Sequence, residues 1–355
     1  MAYLDANATE PMWPEARAAV ISALDLVGNP ASIHSAGRAA RQVLEGARVT
    51  IAARFGANPA GVVFTSGGTE ANALAIAGLS VGRRIIVGAT EHDAVRAAVP
   101  GADILPVDTN GIADLPALAG LLAGPPALVC LMMANNETGT LQPIAAAAAL
   151  CRQHGAMLHV DAVQAGRIGC DLAASGADSM ALSSHKLGGP KGAGALLLAP
   201  GRSVTASIAG GGQERGRRGG TPALPAIAGF AAAAAVAWPD LRALRDAVEA
   251  HAIRCGAVVL GGAARLPNTS CIALPGVAAN TQVIALDLAG VAVSAGAACS
   301  SGTVARSHVL DAMGAGALAG EAIRVSLPWN ATWDDVHAFQ VAYSAMAARL
   351  AKRAA

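Results

Sequence analysis

Aromatic and charged side chains are both scarce in this sequence of 355 residues. Phe, Trp and Tyr make up only 3% of it and Asp, Glu, Lys and Arg 14%, whereas 54% of the residues are hydrophobic. The hydrophobic residues are therefore mainly Ala, Val, Leu and Ile, which suits Ala-rich helices packed on Val- and Ile-rich strands. A chain of this length can form one large α/β domain and a smaller second domain.

An excess of charge of one sign is also missing. The formal net charge is +1, and the 25 basic residues are scattered apart from one cluster at Arg215, Arg217 and Arg218. Nucleic-acid-binding proteins concentrate basic residues on one face, so we expect no nucleic-acid partner.

Long hydrophobic runs are absent as well. The uncharged window Leu224–Trp238 contains Pro225 and Gly229 and falls short of the roughly 20 residues that a membrane-spanning helix needs. The first five residues contain neither a basic region nor an apolar signal core. We therefore expect no membrane segment and a cytoplasmic location.

Cysteines with metal-binding spacing are missing too. The six cysteines, at positions 130, 151, 170, 255, 271 and 299, contain no CxxC pair. This spacing argues against a metal site and against a disulfide framework. We predict that most of them are buried small hydrophobic residues and that Cys299, which lies among Gly, Ala and Ser in the segment Val293–Gly302, is the reactive thiol.

Strand-like and helical stretches alternate along much of the chain. The spacing of apolar residues predicts helices over 14–27 and 35–55, and a strand from Val62 that passes through glycines into a helix ending near Leu79. Further strands are predicted at residues 84–88, 103–107, 127–133, 157–160, 179–183 and 195–199. This alternation predicts an α/β fold with a mostly parallel sheet, helices on both faces and ligands at the carboxyl ends of the strands.

A domain boundary is expected after Gly229, where a long Ala-rich helix can lead into the C-terminal part. We predict a large domain over residues 14–230. The smaller α+β domain would combine residues 1–13 with residues 231–355 and would carry the Cys299 segment.

The segment Val62–Asn72 is a first candidate ligand site, because Gly67 and Gly68 join its strand to its helix. Backbone N–H groups and the positive end of the helix dipole converge at such a turn, which favours a phosphate group near Gly68 and Thr69. The segment is neither a Walker motif nor GxGxxG, and a plain strand-to-helix turn explains it equally well.

A lysine in the segment Ser183–Gly192 is the centre of the candidate chemistry. Lys186 follows His185 and precedes a Gly-Gly-Pro turn, so that several donors can converge on a bound anion. The lysine that forms a Schiff base with pyridoxal phosphate needs such a place, where burial or nearby charge makes the amine less basic. The alternative is a solvated surface lysine.

An acidic residue follows the predicted strand at 157–160. A buried carboxylate at Asp161 can pair with the protonated pyridine nitrogen of the same cofactor, so that the ring can accept negative charge. Gln164, one turn further on, could reach the phenolic oxygen of the ring. A helix cap or an ion pair is the alternative for Asp161.

Three further segments carry polar groups next to predicted strands. His92 lies where an imidazole can stack on a ring, Asn136 lies in a turn, and Arg324 could hold a substrate carboxylate through two parallel hydrogen bonds. The glycine-rich loop Gly210–Thr221 would attract an anion. The alternatives are a polar surface residue for His92, a simple turn for the Asn136 segment and a mobile solvated loop for Gly210–Thr221.

Together these motifs resemble the NifS/IscS-like cysteine desulfurases, a group of the class V (fold type I) pyridoxal-phosphate family. The resemblance covers nearly the whole chain in order. Its motifs are Tyr3–Asp5, Asn29–Pro30, Phe64–Asn72, Glu91–His92, Asn135–Gly139, His159–Gln164, Ser183–Gly192, Gly211–Thr221, Gly296–Gly302 and Ile323–Ser326.

The resemblance implies a role for each candidate residue. Lys186 would carry the Schiff base, Asp161 would pair with the pyridine nitrogen, and His92 would stack on the ring. Gln164 and Asn136 would lie near the phenolic oxygen, and Arg324, with Asn136, would bind the substrate. The phosphate would be held by Gly68, Thr69, Ser183 and His185, and by Thr221 from the partner subunit of a homodimer.

The resemblance also implies a reaction. L-cysteine would displace Lys186, which would then abstract the Cα proton, and the thiolate of Cys299 would attack the substrate sulfur. The products would be L-alanine and a persulfide on Cys299, whose sulfur would pass to an acceptor such as an iron–sulfur scaffold protein. The alternatives are another class V enzyme, such as an aminotransferase or a selenocysteine lyase, and a binding protein that has kept the fold.

Overall fold

The computed structural model of the protein describes residues 1–296 and 306–354, with side chains as far as residue 350. Cys299 lies outside the described residues. The strands are β1 (Ala2–Tyr3), β2 (Val62–Thr65), β3 (Arg84–Gly88), β4 (Asp103–Leu105), β5 (Ala127–Met132), β6 (Met157–Asp161), β7 (Ser179–Ser183), β8 (Gly194–Leu198), β9 (Val258–Leu260), β10 (Thr269–Ala273), β11 (Val291–Ala292), β12 (Ser294–Ala295) and β13 (Ala322–Ser326).

Helices alternate with these strands, as the sequence predicts. They are α1 (Pro14–Leu24), α2 (Ser35–Arg54), α3 (Gly68–Leu79), α4 (Asp93–Arg96), α5 (Leu115–Leu122), α6 (Ile144–Gln153), α7 (Leu172–Ser175), α8 (Leu224–Ala235), α9 (Arg242–Arg254), α10 (Ala279–Leu288), α11 (His308–Ala312) and α12 (Trp333–Ala354). No helix in the described ranges is long and apolar enough to cross a membrane.

Within the described residues, seven strands form a large sheet in the order β2-β8-β7-β6-β5-β3-β4. The strands from β7 to β4 run parallel, and β8 is antiparallel to both β7 and β2. The predicted mostly parallel sheet is therefore confirmed. Since parallel strands all end at one edge, the side chains that follow β5, β6 and β7 are brought together there.

Alternate residues of the central strands enter two hydrophobic layers, one on each face of the sheet. On β5, Val129 and Leu131 pack with residues of α2, α6 and α8, whereas Leu128 and Cys130 pack with residues of α3. This alternation follows from the two-residue period of a strand. It confirms that helices cover both faces of the sheet. The edge at which the strands end is therefore supported by packed helices on either side.

A smaller antiparallel sheet, β12-β13-β10-β9, packs with α9, α10 and α12 around a second hydrophobic core. The N-terminal segment belongs to this core, because β1 pairs with β11 and Leu4 is fully buried in it. The segment then passes Ser326 on β13, to which the N–H of Ala6 donates, and continues towards the large sheet.

Several predicted boundaries shift by one to three residues, such as that of β4, which ends at Leu105 and not at residue 107; two of the shifts have a clear structural reason or consequence. Helix α1 ends at Leu24, not at residue 27, because the chain turns early to place Gly28 against the first turn of α2; a Cβ at Gly28 would lie 1.9 Å from the Ala36 carbonyl oxygen. Strand β6 includes Asp161, which pairs with Ala181 of β7.

The predicted domain boundary at residue 230 falls inside α8. Phe230, Ala231 and Ala234 of this helix all pack in the core of the large sheet. The division into two domains stays a prediction, and this packing favours a boundary after Ala235.

A cluster of tryptophans joins the N-terminal segment to the chain after β13. Trp13 stacks on Trp329 with ring centroids 3.8 Å apart, and the edge of Trp238 meets Trp13 at 5.7 Å. The indole N–H of Trp13 also donates to the carbonyl oxygen of Leu187, at 3.1 Å. The cluster therefore fixes the N-terminal segment against the residue that follows Lys186.

Candidate active site

A cavity of about 270 Å³ lies at the carboxyl edge of the large sheet, between that sheet, the N-terminal segment and β13. Ten residues that the sequence singled out line this one cavity. They are Gly68, Thr69, His92, Asn136, Asp161, Gln164, Ser183, His185, Lys186 and Arg324.

Lys186 ends a short 3-10 turn, Ser184–Lys186, directly after β7. Its amine donates to the carbonyl oxygens of Asn7 and, at 3.0 Å, of Ala8. Its own carbonyl accepts a hydrogen bond from Arg167 Nη2 at 3.2 Å. Lys186 is thus a half-buried lysine held in the cavity, which rules out the surface-lysine alternative.

Asp161 is buried at the end of β6, and both of its carboxylate oxygens accept a hydrogen bond. The N–H of Val163 donates to Oδ1 at 2.9 Å, and Asn72 Nδ2 donates to Oδ2 at 2.7 Å. Burial raises the pKa of Asp161, while these two hydrogen bonds and the nearby His92 and Lys186 oppose the shift. The carboxylate is held in one orientation.

Asn72 is itself held by a buried histidine. His159 Nε2 lies 2.9 Å from Asn72 Oδ1, and His159 Nδ1 lies 2.8 Å from Ser179 Oγ. Complete burial lowers the pKa of His159 to about 3, so the ring is neutral at physiological pH.

The first turn of α3 forms the candidate phosphate seat. A Cβ at Gly68 would lie 2.6 Å from Val163 Cγ2 and 3.5 Å from Ser183 Cβ, so only glycine fits this wall of the cavity. The first N–H groups of a helix have no partner within the helix and point towards an anion at its start. The turn therefore offers donors close to Ser183.

The two histidines of the cavity are positioned by local contacts. His92 caps α4 by accepting a hydrogen bond from the N–H of Ala94 at 3.0 Å. His185 Nδ1 lies 3.2 Å from Thr9 Oγ1. Burial, with the charges of Lys186 and Lys191, lowers the pKa of His185 to about 4, so this imidazole is neutral and can serve as a hydrogen-bond partner.

Arg324 reaches the cavity from β13 of the smaller sheet. Its Nη2 donates to Asp5 Oδ1 at 2.7 Å and its Nη1 to the carbonyl oxygen of Asn136 at 3.3 Å. The side chain is almost fully buried, and its Nε has no hydrogen-bond partner among the described residues. This cation can therefore attract a carboxylate into the cavity.

Asn7 contacts both the part of the cavity near Lys186 and the part near Asn136 and Arg324. Its carbonyl accepts hydrogen bonds from Lys186 Nζ and from Gln164 Nε2, the latter at 2.9 Å. Its side chain donates to the carbonyl of Asn136 and to Thr269 Oγ1, both at 3.0 Å. The N-terminal segment thus forms part of the cavity wall.

Thr221 lies apart from this cavity, in a second pocket with Phe64 and Arg218. In the loop before it, Arg218 pairs with Glu70 at 2.8 Å and Arg217 donates to the carbonyl of Ala60 at 2.7 Å. These two arginines contact neighbouring protein groups, whereas most of the loop, including Thr221, is exposed to solvent, so the solvated-loop alternative stays open.

Four cysteines of the described residues, Cys130, Cys151, Cys170 and Cys271, are buried as predicted, whereas Cys255 is half-buried after α9. Burial raises the pKa of the Cys151 and Cys170 thiols to about 12 and that of Cys130 well above its usual range. Such thiols are poor nucleophiles at neutral pH.

Four polar residues of the site have no predicted role: Asp5, Asn7, Asn72 and His159. Asn72 lies one helical turn after Gly68, on the same face of α3, and this spacing is the signal that could have identified it. Asp5 lies 319 residues from its partner Arg324, so no local pattern indicates their contact.

The sequence matches the family model described as Aminotransferase class-V over residues 2–339. The chain belongs to this family. It is 41% identical over 333 residues to a cysteine desulfurase of Cereibacter sphaeroides, which covers 88% of this chain and 86% of the relative. An IscS-like cysteine desulfurase of Mycobacterium tuberculosis is 38% identical, covering 95% and 94% of the two chains.

Solved structures agree with the family match. A NifS-like protein from Rickettsia africae superimposes with a TM-score of 0.90 at 35% identity, over 98% of this chain and 99% of that one. This confirms the predicted fold type I architecture. The class V family depends on pyridoxal phosphate, which confirms the predicted cofactor.

The cavity fits this cofactor on chemical grounds. It places an amine, a buried carboxylate and a helix N-terminus around one space, and glycine at position 68 lets the start of α3 lie directly against Val163 and Ser183. These groups complement an aldehyde, a pyridine nitrogen and a phosphate, respectively.

Proposed function

We propose that this chain is a pyridoxal-phosphate-dependent cysteine desulfurase, which removes sulfur from L-cysteine and releases L-alanine. The observation that supports it best is that Lys186, Asp161, His92 and Arg324 line one cavity in a chain similar to cysteine desulfurases over most of its length.

The residues of the large sheet would hold the cofactor. Asp161 would face the ring nitrogen, His92 would cover the ring, and Gln164 and Asn136 would lie near the phenolic oxygen. The phosphate would be held by Gly68, Thr69, Ser183 and His185 at the start of α3 and the end of β7. When bound, pyridoxal phosphate supplies an electron sink for the negative charge that develops at the substrate Cα.

Lys186 would move the proton of the substrate Cα. Its amine is held by the carbonyls of Asn7 and Ala8, which are hydrogen-bond acceptors and keep it within the cavity. Release from these carbonyls would free the amine to accept the Cα proton and later to return a proton to the product.

Arg324 would bind the substrate carboxylate. Asp5 and the carbonyl of Asn136 hold the two terminal nitrogens of its guanidinium, and the buried Nε has no hydrogen-bond partner among the described residues. A carboxylate can form charge-assisted hydrogen bonds with a guanidinium held in this way. Asn136 would contribute to the same substrate contact.

Cys299 would be the nucleophile. Its thiolate would attack the substrate sulfur and form a sulfur–sulfur bond. The carbon–sulfur bond would break at the same time, and its electron pair would stay with the substrate carbon, which is protonated to give alanine. The resulting persulfide would pass its outer sulfur to an acceptor protein such as an iron–sulfur scaffold. The burial of Cys130, Cys151, Cys170 and Cys271 supports this choice of thiol.

The assembly and location of the enzyme are further proposals. We propose a homodimer in which Thr221 completes the phosphate site of the partner subunit; its place outside the cavity of its own chain supports this arrangement. The cytoplasmic location stays a prediction.

The decisive experiment supplies L-cysteine to the purified holoprotein and measures alanine together with a persulfide on each cysteine by mass spectrometry. We expect equal amounts of alanine and persulfide in a single turnover, with the persulfide on Cys299. Cys299→Ala should keep the visible absorbance of the cofactor and lose sulfur transfer, whereas the half-buried Cys255→Ala should behave like wild type.

Unchanged turnover in Cys299→Ala would contradict the desulfurase assignment and favour an aminotransferase of the same family. A higher rate with selenocysteine than with cysteine, retained in Cys299→Ala, would favour a selenocysteine lyase.

A further inference from the structure

Behind Asp161, three buried side chains form an unbroken series of hydrogen bonds. Ser179 Oγ lies 2.8 Å from His159 Nδ1, His159 Nε2 lies 2.9 Å from Asn72 Oδ1, and Asn72 Nδ2 lies 2.7 Å from Asp161 Oδ2. Ser179 and His159 are fully buried, and Asn72 and Asp161 are exposed by only 1% and 6%. Buried polar groups of this kind are satisfied by one another and not by bulk water.

The direction of each hydrogen bond follows from the ionised carboxylate. Asp161 can only accept, so Asn72 must turn its amide NH₂ towards it and its carbonyl oxygen towards His159. His159 Nε2 must then carry the proton, because Asn72 Oδ1 is an acceptor. Nδ1 of the neutral ring is left as an acceptor, and the hydroxyl of Ser179 donates to it.

Each member of the series fixes the next one. An asparagine amide can rotate by half a turn and present oxygen where nitrogen was, and the Nε2–H of His159 prevents this rotation. The hydroxyl of Ser179 can donate or accept, so it adapts to this tautomer and supplies the donor that the buried Nδ1 needs. The series therefore holds the amide N–H of Asn72 towards Asp161.

The position of Asp161 makes a fixed donor important, because burial raises the pKa of this carboxyl and so disfavours its charge. The buried Glu91 lies close enough for the negative charge of Asp161 to raise the pKa of Glu91 as well. His92 and Lys186 favour the ionised form of Asp161 from the cavity side. Asn72 and the N–H of Val163 supply the hydrogen bonds that oppose burial from the protein side.

We propose that Asn72, His159 and Ser179 are positioning residues, which hold Asp161 ionised and oriented towards the ring nitrogen of the bound cofactor. This inference rests on the proposed function only as far as cofactor binding. It adds to the site three buried residues that do not line the ring-facing side of Asp161: Asn72 on α3, His159 on β6 and Ser179 on β7.

The test compares two substitutions at one position. His159→Leu removes the donor to Asn72, whereas His159→Gln can place an amide N–H where Nε2 stands. His251→Leu is the matched control, because His251 Nε2 forms a comparable 2.8 Å contact with Ser344 Oγ away from the cavity. Each holoprotein is titrated with pH while its visible absorbance is recorded, and its cofactor dissociation constant is measured by dialysis.

We expect His159→Leu to weaken cofactor binding by up to about tenfold, the effect of one lost buried hydrogen bond between neutral groups, and to shift the pH midpoint of the visible band. His159→Gln and His251→Leu should match wild type in both measurements. Normal affinity and a normal pH profile in a folded His159→Leu protein would overturn the inference.

If His159→Leu does not fold, Ser179→Ala and Asn72→Leu provide the same comparison, with the larger effect expected for Asn72→Leu because it contacts Asp161 directly. Equal and unchanged pH profiles in these two variants would likewise overturn the inference. Measurement of the wild-type holoprotein separates the two proposals. If it binds the cofactor but releases no alanine from L-cysteine, the desulfurase proposal is contradicted. The comparison of the pH-dependent spectra of the variants would still decide the role of His159.

Discussion

The two ends of the cavity are built differently. Asp161 and Lys186 follow adjacent parallel strands of one sheet, so the order of β6 and β7 alone brings them together. Arg324 comes from the smaller sheet and meets Asp5, 319 residues away in sequence, and the carbonyl of Asn136. The backbone positions at the cofactor end therefore depend on one sheet, with the N-terminal segment holding the amine of Lys186, whereas the substrate end exists only when both sheets and the N-terminal segment are assembled.

The largest effect is expected at the cofactor end. Lys186→Ala should lower the rate of alanine release by at least about 10³-fold, because the amine is both the attachment point and the proton carrier. Borohydride reduction of the wild-type holoprotein should attach the cofactor to Lys186 and to neither of the other two lysines of the sequence, Lys191 and Lys352.

The exposed Lys191, five residues further along the same loop, is the control for this substitution. Lys191→Ala should retain both the visible band and the activity. A Lys186→Ala protein with wild-type absorbance and turnover would show that the cofactor end is not centred on this amine.

A smaller and different effect is expected at the substrate end. Arg324→Lys keeps the charge but loses the planar pair of donors, so the KM for L-cysteine should rise by about tenfold with little change in kcat. The same substitution at Arg202, which pairs with Asp178 near the surface, should leave both constants unchanged. A fall in kcat with constant KM would instead place Arg324 in the chemical step.

The last expected effect is on stability and not on turnover, and it concerns the contact between the N-terminal segment and the loop after β6, where Glu10 and Arg167 are both buried. Their closest charged atoms are 3.6 Å apart, too far for a hydrogen bond, and burial raises the pKa of Glu10 to about 7 despite the nearby cation. Between pH 4.5 and 7 the folded state then holds a proton that the unfolded state releases.

The free energy of unfolding should therefore fall as pH rises through this range, by up to about 3 kcal/mol from this group. Glu10→Gln should flatten the pH dependence of the unfolding free energy over this range, as measured by chemical denaturation. Glu15→Gln, at an exposed position, should leave that pH dependence unchanged. An identical slope in the Glu10→Gln protein would mean that other buried acids, such as Glu91 and Glu137, account for it.

The same comparison explains how much could be predicted from the sequence. Continuous apolar runs followed by polar residues identify strand ends, and the parallel sheet then requires those ends to meet, so local patterns point to Asp161, Lys186, His92 and Gly68. The resemblance to the cysteine desulfurases covers the same motifs and adds their roles.

What the sequence did not reveal depends on contacts between distant segments. Nothing near Asp5 or Asn7 indicates that they will meet Arg324 and Lys186. His159 looks like one more inward residue of a strand, and only its distances to Asn72 and Ser179 distinguish it from an ordinary core histidine. The domain boundary near residue 230 stays a prediction, and the Ala-rich α8 gives no local sign in the sequence that Phe230, Ala231 and Ala234 join the core of the large sheet.

The tryptophan cluster gives the protein an intrinsic optical probe. Three of its four tryptophans, Trp13, Trp238 and Trp329, are close enough to exchange excitation energy, and Trp13 is hydrogen-bonded to the carbonyl of the residue after Lys186. Their emission overlaps the visible absorption of a pyridoxal cofactor, so occupation of the site should quench it. Stopped-flow fluorescence can therefore follow cofactor binding and substrate arrival without any added label.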